Sequence, residues 1–163
     1  MITADQIFAH IAGDYILQSH WMATEKTKHS LAAAVHVFFY AVPFLVAFKP
    51  SWLALAVIVG SHFVIDRWRL ARFVVYAKNL IAPFRIKAVN SRESAKSAVD
   101  SVSAGFAMVW LGKYSIVFDS YAWRFCSVTG FYKDVPAWLS VWLLIIVDNA
   151  MHIGINALAL RYL

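Results

Sequence analysis

Charged side chains are scarce in this sequence. Asp, Glu, Lys and Arg together make up 15% of its 163 residues, whereas hydrophobic residues make up 61%. Ordinary soluble domains contain roughly 45–50% apolar residues. Stretches such as 51–66 and 135–147 carry no charge before their ends. A soluble globular protein of this length could not bury so many apolar side chains. The composition therefore predicts an integral membrane protein whose surplus apolar side chains face lipid.

Other common features are also missing. Cys126 is the single cysteine, which excludes an internal disulfide and argues against a cysteine-based metal site. The first twenty residues have neither a basic start nor an Ala-x-Ala cleavage site, so they do not read as a secretory signal. No internal repeat or low-complexity tract is present, which argues against a solenoid or a disordered arm.

The N-terminal stretch predicts an amphipathic helix. Within residues 4–23, His10, Asp14 and Gln18 follow one another at intervals of four and so share one helix face, while apolar side chains occupy another face. Thr3 or Asp5 provides a suitable cap. The stretch is too polar to cross lipid alone, so we expect it to lie at the interface or against other helices.

The remaining chain predicts about four membrane helices in a single domain covering residues 1–163. Residues 30–48 form a nearly uncharged segment of about 28 Å, close to a hydrocarbon thickness of roughly 30 Å. Residues 52–66 read as the return helix of a tight hairpin. Residues 98–118 read as a weaker third span, and 135–160 as a strongly apolar last one. The fold class is therefore an all-α membrane bundle.

Basic residues cluster in the segment 67–96, which carries eight of them interleaved with apolar residues. This segment predicts a helix or loop resting on the cytoplasmic membrane surface. If both chain ends share its side, that side holds eleven of the 15 basic residues and is predicted to be cytoplasmic. Because this bias explains the net charge of +6, nucleic-acid binding is disfavoured, although the segment leaves a nucleic-acid tether open.

Ionisable residues recur inside the apolar helices at a spacing of four, which places both members of a pair on one helix face. Charges at such depth are costly and functional by default, and imidazole with carboxylate suits Zn²⁺, Mn²⁺ or Fe²⁺, with Mg²⁺ also admissible. The predicted metal ligands are His10, Asp14, His36, His62, Asp66, Asp148 and His152. The alternative is structural: His and Asp can hydrogen-bond across helices without any metal.

Several motifs together resemble a known family. Residues 10–26 read HIAGDYILQSHWMATEK, His36 follows, residues 62–66 read HFVID, and residues 148–152 read DNAMH. This order resembles a bacterial and phage inner-membrane family catalogued as domain of unknown function 3307. In that family Gln usually follows the last Asp, whereas Asn149 stands here. The resemblance implies a membrane fold and supports the choice of these residues as the functional ones. The family has no established reaction, so the resemblance does not identify their chemistry.

The leading functional hypothesis is an inner-membrane, metal-dependent hydrolase whose pocket opens to the cytoplasmic leaflet. We expect Gln18, Lys26 and Arg67 to bind an anionic head group, which favours a lipid or phosphoester substrate over a peptide. The rival is a non-catalytic membrane protein, either an ion-transport component or a module that phages and bacteria use to bind a membrane partner. Expected partners are membrane lipids and another membrane protein or a second copy of the chain.

Overall fold

A computed structural model describes residues 2–81, 84–88, 108–111, 114–118, 123, 126–131, 133 and 135–163. The chain forms two compact units. The first combines residues 1–74 with the C-terminal residues 136–163, and the second spans residues 75–135.

The N-terminal region is helical but not continuous. Helix α1 spans Ala4–Ile11, a π-helical turn follows at Ala12–Ile16, and a short helix α2 spans His20–Glu25. Thr3 caps α1 as predicted, since its hydroxyl accepts a hydrogen bond from the Gln6 amide. The prediction of one helix over 4–23 was therefore wrong.

Close packing and a second cap explain the break. Gly13 lies so near helix α3 that a Cβ atom at this position would come within 2.6 Å of the Tyr40 ring and 3.1 Å of the Tyr40 Cα atom. Ser19 then begins α2, because its hydroxyl accepts a hydrogen bond from the Met22 amide. The break thus falls between the close contact of Gly13 with Tyr40 and the cap at Ser19.

The next two helices form the predicted hairpin. Helix α3 spans Ser30–Phe48 and helix α4 spans Trp52–Trp68. Lys49 ends α3 in the left-handed region at φ 46°, and Pro50 follows it. Ser51 caps α4 by accepting a hydrogen bond from the Ala54 amide. The boundaries predicted for α3 are confirmed.

The last helix of the first unit closes the bundle. This helix, here α6, spans Ala137–Tyr162 and packs against α4, which also packs against α3. The apolar core lies between these helices and α1, and its members are Ala9, Tyr40, Phe44, Ala54, Ile58 and Ala159. The Ser51 hydroxyl donates a hydrogen bond to the Leu163 carbonyl, which joins the α3–α4 turn to the C-terminus.

Two helices in the described part of the chain, α3 and α6, are long and apolar enough to cross a membrane. The predicted bundle of about four spans is therefore not confirmed. Within the predicted span 98–118, the described residues form strands instead: β2 spans Met108–Leu111 and β3 spans Tyr114–Phe118. That span was wrong in these residues because a short apolar run rich in β-branched residues suits either structure. Residues 98–107 and 112–113 lie outside the described residues.

The second unit contains a small sheet and most of helix α5, which spans Ala71–Ile81. Strand β1, Phe84–Ala88, pairs antiparallel with β3, which pairs antiparallel with β2, so the order is β1-β3-β2. Helix α5 exposes the apolar side chains of Phe73, Val74 and Leu80, and the position of this segment at a membrane surface stays a prediction. Residues 89–96 of that segment lie outside the described residues.

Candidate metal centre

Four buried side chains direct nitrogen and oxygen atoms to a common point inside the first unit. They are Asp14, His36, His62 and Asp66, and one ligand atom from each lies within 4.8 Å of the others. All four residues are at most 5% exposed. Burying two carboxylates is costly unless cations compensate them, so the surroundings of this cluster must supply positive charge.

Five separations among these four atoms are close to those of a tetrahedral ligand set. His36 Nε2 lies 3.0 Å from His62 Nε2, 3.1 Å from Asp14 Oδ1 and 3.2 Å from Asp66 Oδ2. His62 Nε2 lies 3.0 Å from Asp66 Oδ2 and 3.4 Å from Asp14 Oδ1. A tetrahedral zinc ion with bonds of about 2.0–2.1 Å holds its ligand atoms about 3.3 Å apart. Five of the six separations thus agree with a cation at the centre of the set.

Helix geometry accounts for this convergence. His62 and Asp66 lie one turn apart on the same face of α4, as the spacing of four predicted. His36 comes from the middle of α3. Asp14 comes from the π-helical turn, and π turns are frequent at functional sites because they redirect side chains from the regular helical path.

A second group of possible ligands adjoins the first and shares one member with it. Asp14, Asp148 and His152 each direct one ligand atom to within 4.8 Å of the others. His152 Nε2 lies 3.4 Å from Asp148 Oδ2 and 3.6 Å from Asp66 Oδ1. The other oxygen of Asp66 belongs to the first group. The geometry therefore offers two neighbouring cation positions, with Asp14 and Asp66 placed between them.

A lysine ammonium group lies among the same carboxylates. Lys26 Nζ is 2.8 Å from Asp66 Oδ2, 3.6 Å from Asp14 Oδ1 and 3.3 Å from His36 Nε2. Its side chain is 15% exposed. In the absence of a metal, Lys26 therefore provides part of the compensating charge.

Lys26 and Asp14 each shift the pKa of the other toward its charged form. Burial alone would lower the pKa of Lys26, but Asp66 and Asp14 outweigh it and raise the pKa above its usual value. Burial alone would raise the pKa of Asp14, but hydrogen bonds from His36 and His62 and the charge of Lys26 hold it well below its usual range. Asp14 is thus a carboxylate at neutral pH, which is the form that binds cations.

His10 lies beside the cluster, but both of its ring nitrogens are already hydrogen-bonded. Nδ1 is 2.9 Å from the Tyr40 hydroxyl and Nε2 is 2.6 Å from Asn149 Oδ1. Because His10 Nε2 donates to the Asn149 oxygen, Nδ1 of the neutral ring accepts from the Tyr40 hydroxyl, which itself accepts from Asn156 Nδ2 at 2.6 Å. Burial lowers the pKa of His10, which keeps the ring neutral. In this structure His10 supports the site through hydrogen bonds, and it remains a proposed ligand only.

A cavity of about 280 Å³ opens beside the cluster. Two residues predicted to bind substrate, Gln18 and Lys26, line it, together with Tyr15, Asp66, Asp148 and Arg69. Gln18 Oε1 is buried and has no hydrogen-bond partner among the described residues. Asp148 is 27% exposed, so a ligand in the cavity can reach it.

Arg67, the third residue predicted to bind substrate, does not line the cavity. Its guanidinium donates to the Thr27 carbonyl at 2.8 Å and to the Ser30 hydroxyl at 3.2 Å. It is not among the residues that line the cavity, whereas Arg69 is. In the structure, Arg67 therefore joins α4 to the start of α3.

Sequence reasoning missed Tyr40 and Arg69. Tyr40 is fully buried, stacks on His62 with ring centroids 3.7 Å apart and links His10 to Asn156. Its position one helical turn after His36 was a signal that could have found it. The sequence alone gives no reason to prefer Arg69 to Arg67 as a cavity residue. Helix α4 ends at Trp68 and Arg69 takes a left-handed conformation, and this local backbone geometry decides which arginine lies at the cavity.

One comparison with known proteins gives a match. The model of a family described as protein of unknown function (DUF3307) matches residues 2–98, more than half of the chain. The matched range contains the whole first ligand group, whereas Asp148 and His152 lie beyond it. No curated protein and no solved structure matches the chain.

Proposed function

The chain belongs to the DUF3307 family, and we propose that it is a membrane-embedded, metal-dependent hydrolase of a lipid or phosphoester. The observation that supports this proposal most strongly is the buried group of His36, His62, Asp14 and Asp66, whose His–His and His–carboxylate separations of 3.0–3.4 Å suit tetrahedral coordination. The two imidazole Nε2 atoms face each other at 3.0 Å, as two ligands of one ion do.

The membrane location is supported by where the apolar side chains lie. Helices α3 and α6 have the length and hydropathy of membrane spans, and only 39% and 28% of their most apolar windows are buried in the protein. The core helix of a soluble protein would be mostly buried. On α3, Phe38 is 69% exposed and Val46 is 77% exposed. We propose the bacterial inner membrane, with the basic segment and both termini cytoplasmic, from the distribution of basic residues.

The donor set restricts the metal. Two imidazoles and two carboxylates suit Zn²⁺, Mn²⁺ or Fe²⁺ at the first position. The second group, with one imidazole and two carboxylates, would also admit Mg²⁺. Asp14 and Asp66, which lie between the two groups, would hold two ions close together, as in two-metal hydrolytic sites.

Hydrolysis needs a nucleophile, a base and a place for the substrate. A bound divalent ion supplies the first by lowering the pKa of water toward about 7. When an ion fills the first position alone, Asp148 is the carboxylate best placed to accept a proton, because it is partly exposed, lines the cavity and lies beside His152. Gln18 and Lys26 line the same cavity and would orient an anionic substrate.

Metal analysis of the purified full-length chain tests this proposal. The wild type should contain one or two divalent ions per chain by elemental analysis. Asp14→Asn should lose every ion because Asp14 belongs to both groups, His62→Ala should lose the first, and Asp148→Asn should lose only the second. Asp5→Asn, at an exposed position of α1, is the matched control. Wild-type protein without stoichiometric metal would overturn the proposal.

A second candidate function is cation transport, and Lys26 is the observation that favours it. An ammonium group between Asp66 and Asp14 can exchange with another cation, which is one way to couple ion and proton movement. Transport predicts ion flux into liposomes that contain the purified protein. Hydrolysis predicts release of product from a vesicle substrate without flux.

A further inference from the structure

Arg69 is a cavity residue whose side chain has no role in the function proposed above. It lines the cavity beside Asp66 and Lys26, and its guanidinium has no hydrogen bond or ion pair with the described residues. Arg67, two positions earlier, is held by Thr27 and Ser30. The two arginines therefore differ in that only Arg69 is available to a ligand.

The backbone at Arg69 is unusual for its residue type. It ends helix α4 in the left-handed region, at φ 51° and ψ 51°. This conformation is unfavourable for residues with a Cβ atom and is usually taken by glycine at helix ends. A strained residue that lines a cavity and keeps a long charged side chain is typical of a position under functional demand.

The balance of charge in the cavity indicates what Arg69 would bind. Three carboxylates, from Asp14, Asp66 and Asp148, face two side-chain cations, from Lys26 and Arg69. Without a metal, the charges of these five side chains alone sum to a negative value. One divalent ion, bound by neutral imidazoles, makes this sum positive and leaves a side-chain cation without a protein partner. An anion would restore the balance.

We propose that Arg69 binds the phosphate group of the substrate when the metal centre is loaded; this inference rests on the proposed function. Guanidinium matches phosphate because its planar donors bind two oxygens at once. Gln18 lines the same cavity, and its side-chain amide nitrogen would donate a hydrogen bond to the same phosphate. The shared chemistry is a phosphate monoester, from either a lipid head group or a soluble compound.

Phosphate titration of the detergent-purified full-length chain tests the inference. Inorganic phosphate should bind the metal-loaded wild type, and a chelator should abolish binding. Arg69→Gly should weaken phosphate binding at least tenfold with unchanged metal content, while Arg69→Lys should retain part of it. Because glycine suits the left-handed backbone, Arg69→Gly should unfold at no lower temperature than the wild type. Arg67→Ala, the matched control, should bind phosphate like the wild type.

A further measurement separates the two sources of phosphate. The protein is placed in phosphatidylcholine bilayers with and without phosphatidic acid, and binding of inorganic phosphate is repeated. Competition by phosphatidic acid supports a lipid head group, and its absence supports a soluble monoester. Equal phosphate affinity in Arg69→Gly and wild type, with metal intact, would overturn this inference alone. Wild-type protein that binds no metal would overturn the proposed function and this inference together.

Discussion

The Nε2 atoms of His36 and His62 lie 3.0 Å apart, although the two rings come from different helices. Two neutral imidazoles cannot direct lone pairs at each other at this distance without repulsion, so a proton or a cation must lie between them. The Nδ1 atoms of both rings are buried and have no hydrogen-bond partner among the described residues. With its proton on Nδ1, each ring would present the Nε2 lone pair to a metal.

Removal of either imidazole should weaken metal binding strongly. Loss of an outer-shell partner typically lowers metal affinity by about 10–100-fold, and loss of a ligand should lower it by more than about 100-fold. We expect this of His36→Ala in competition with a chromophoric chelator. His29→Ala is the matched control, because His29 has a 70% exposed side chain near the start of the same helix. Equal affinity in the two variants would remove His36 from the ligand set.

Lys26 should stabilise the metal-free protein and become dispensable when metal is bound. Lys26→Met leaves the carboxylates of Asp14 and Asp66 without their nearest ammonium group, and breaking a buried ion pair costs about 3 kcal/mol. The melting temperature of the chelated variant should therefore fall below that of the chelated wild type. Added metal should restore most of the difference. A deficit of the same size with and without metal would mean that Lys26 is only a structural cation.

Gly13 should resist replacement because of its approach to Tyr40. A Cβ atom there would meet both the ring and the backbone of Tyr40, and the backbone cannot move aside. Gly13→Ala should therefore lower the free energy of unfolding by about 1–3 kcal/mol and weaken metal binding, since Asp14 is the next residue. Gly154→Ala is the control, because nothing lies within 4 Å of its added methyl group. Thermal unfolding in detergent compares the two, and equal stability would contradict the close packing.

The sequence predicted those parts of the site that depend on helical periodicity. His62 with Asp66 and Asp148 with His152 are brought together because residues four apart share a face of any α-helix. The bounds of α3 could also be predicted, since Lys49 and Pro50 interrupt a uniformly apolar run. These features are local, so the sequence carries them without knowledge of the packing.

Features that depend on contacts between distant segments could not be predicted. The π-helical turn at Ala12–Ile16 contains Gly13, whose close fit against Tyr40 is known only once α1 and α3 meet. The hydrogen-bonded state of His10 depends on Tyr40 and Asn149, 30 and 139 residues away along the chain. The strands within 108–118 replaced a predicted span because short apolar runs fit more than one structure.

The Tyr40 hydroxyl should matter for stability and much less for metal binding. Tyr40→Phe leaves Asn156 Nδ2 and His10 Nδ1 without their partner, and an unsatisfied buried polar group costs about 1–3 kcal/mol. The melting temperature should fall, while metal content stays at the wild-type value. Tyr15→Phe is the control, since Tyr15 is 53% exposed and water can replace its hydrogen bonds with Asn149. Loss of metal in Tyr40→Phe would show that the hydroxyl fixes the position of the ligands.

The exposed face of α3 offers a direct test of the membrane location. Phe38 lies near the middle of this helix and is 69% exposed, whereas Trp52 lies at the start of α4 and is 85% exposed. If α3 crosses a bilayer, Phe38→Arg places a charge near the hydrocarbon centre at a cost of about 2.5–3.5 kcal/mol, while an arginine at residue 52 reaches the interface. The amount of carbonate-resistant protein in the membrane fraction should therefore fall for Phe38→Arg and stay near wild type for Trp52→Arg. A soluble protein would tolerate both changes equally, because both positions would already face water. Recovery of both variants and the wild type in the soluble fraction would contradict the membrane location, and the argument that the exposed apolar side chains of α3 face lipid would fail with it.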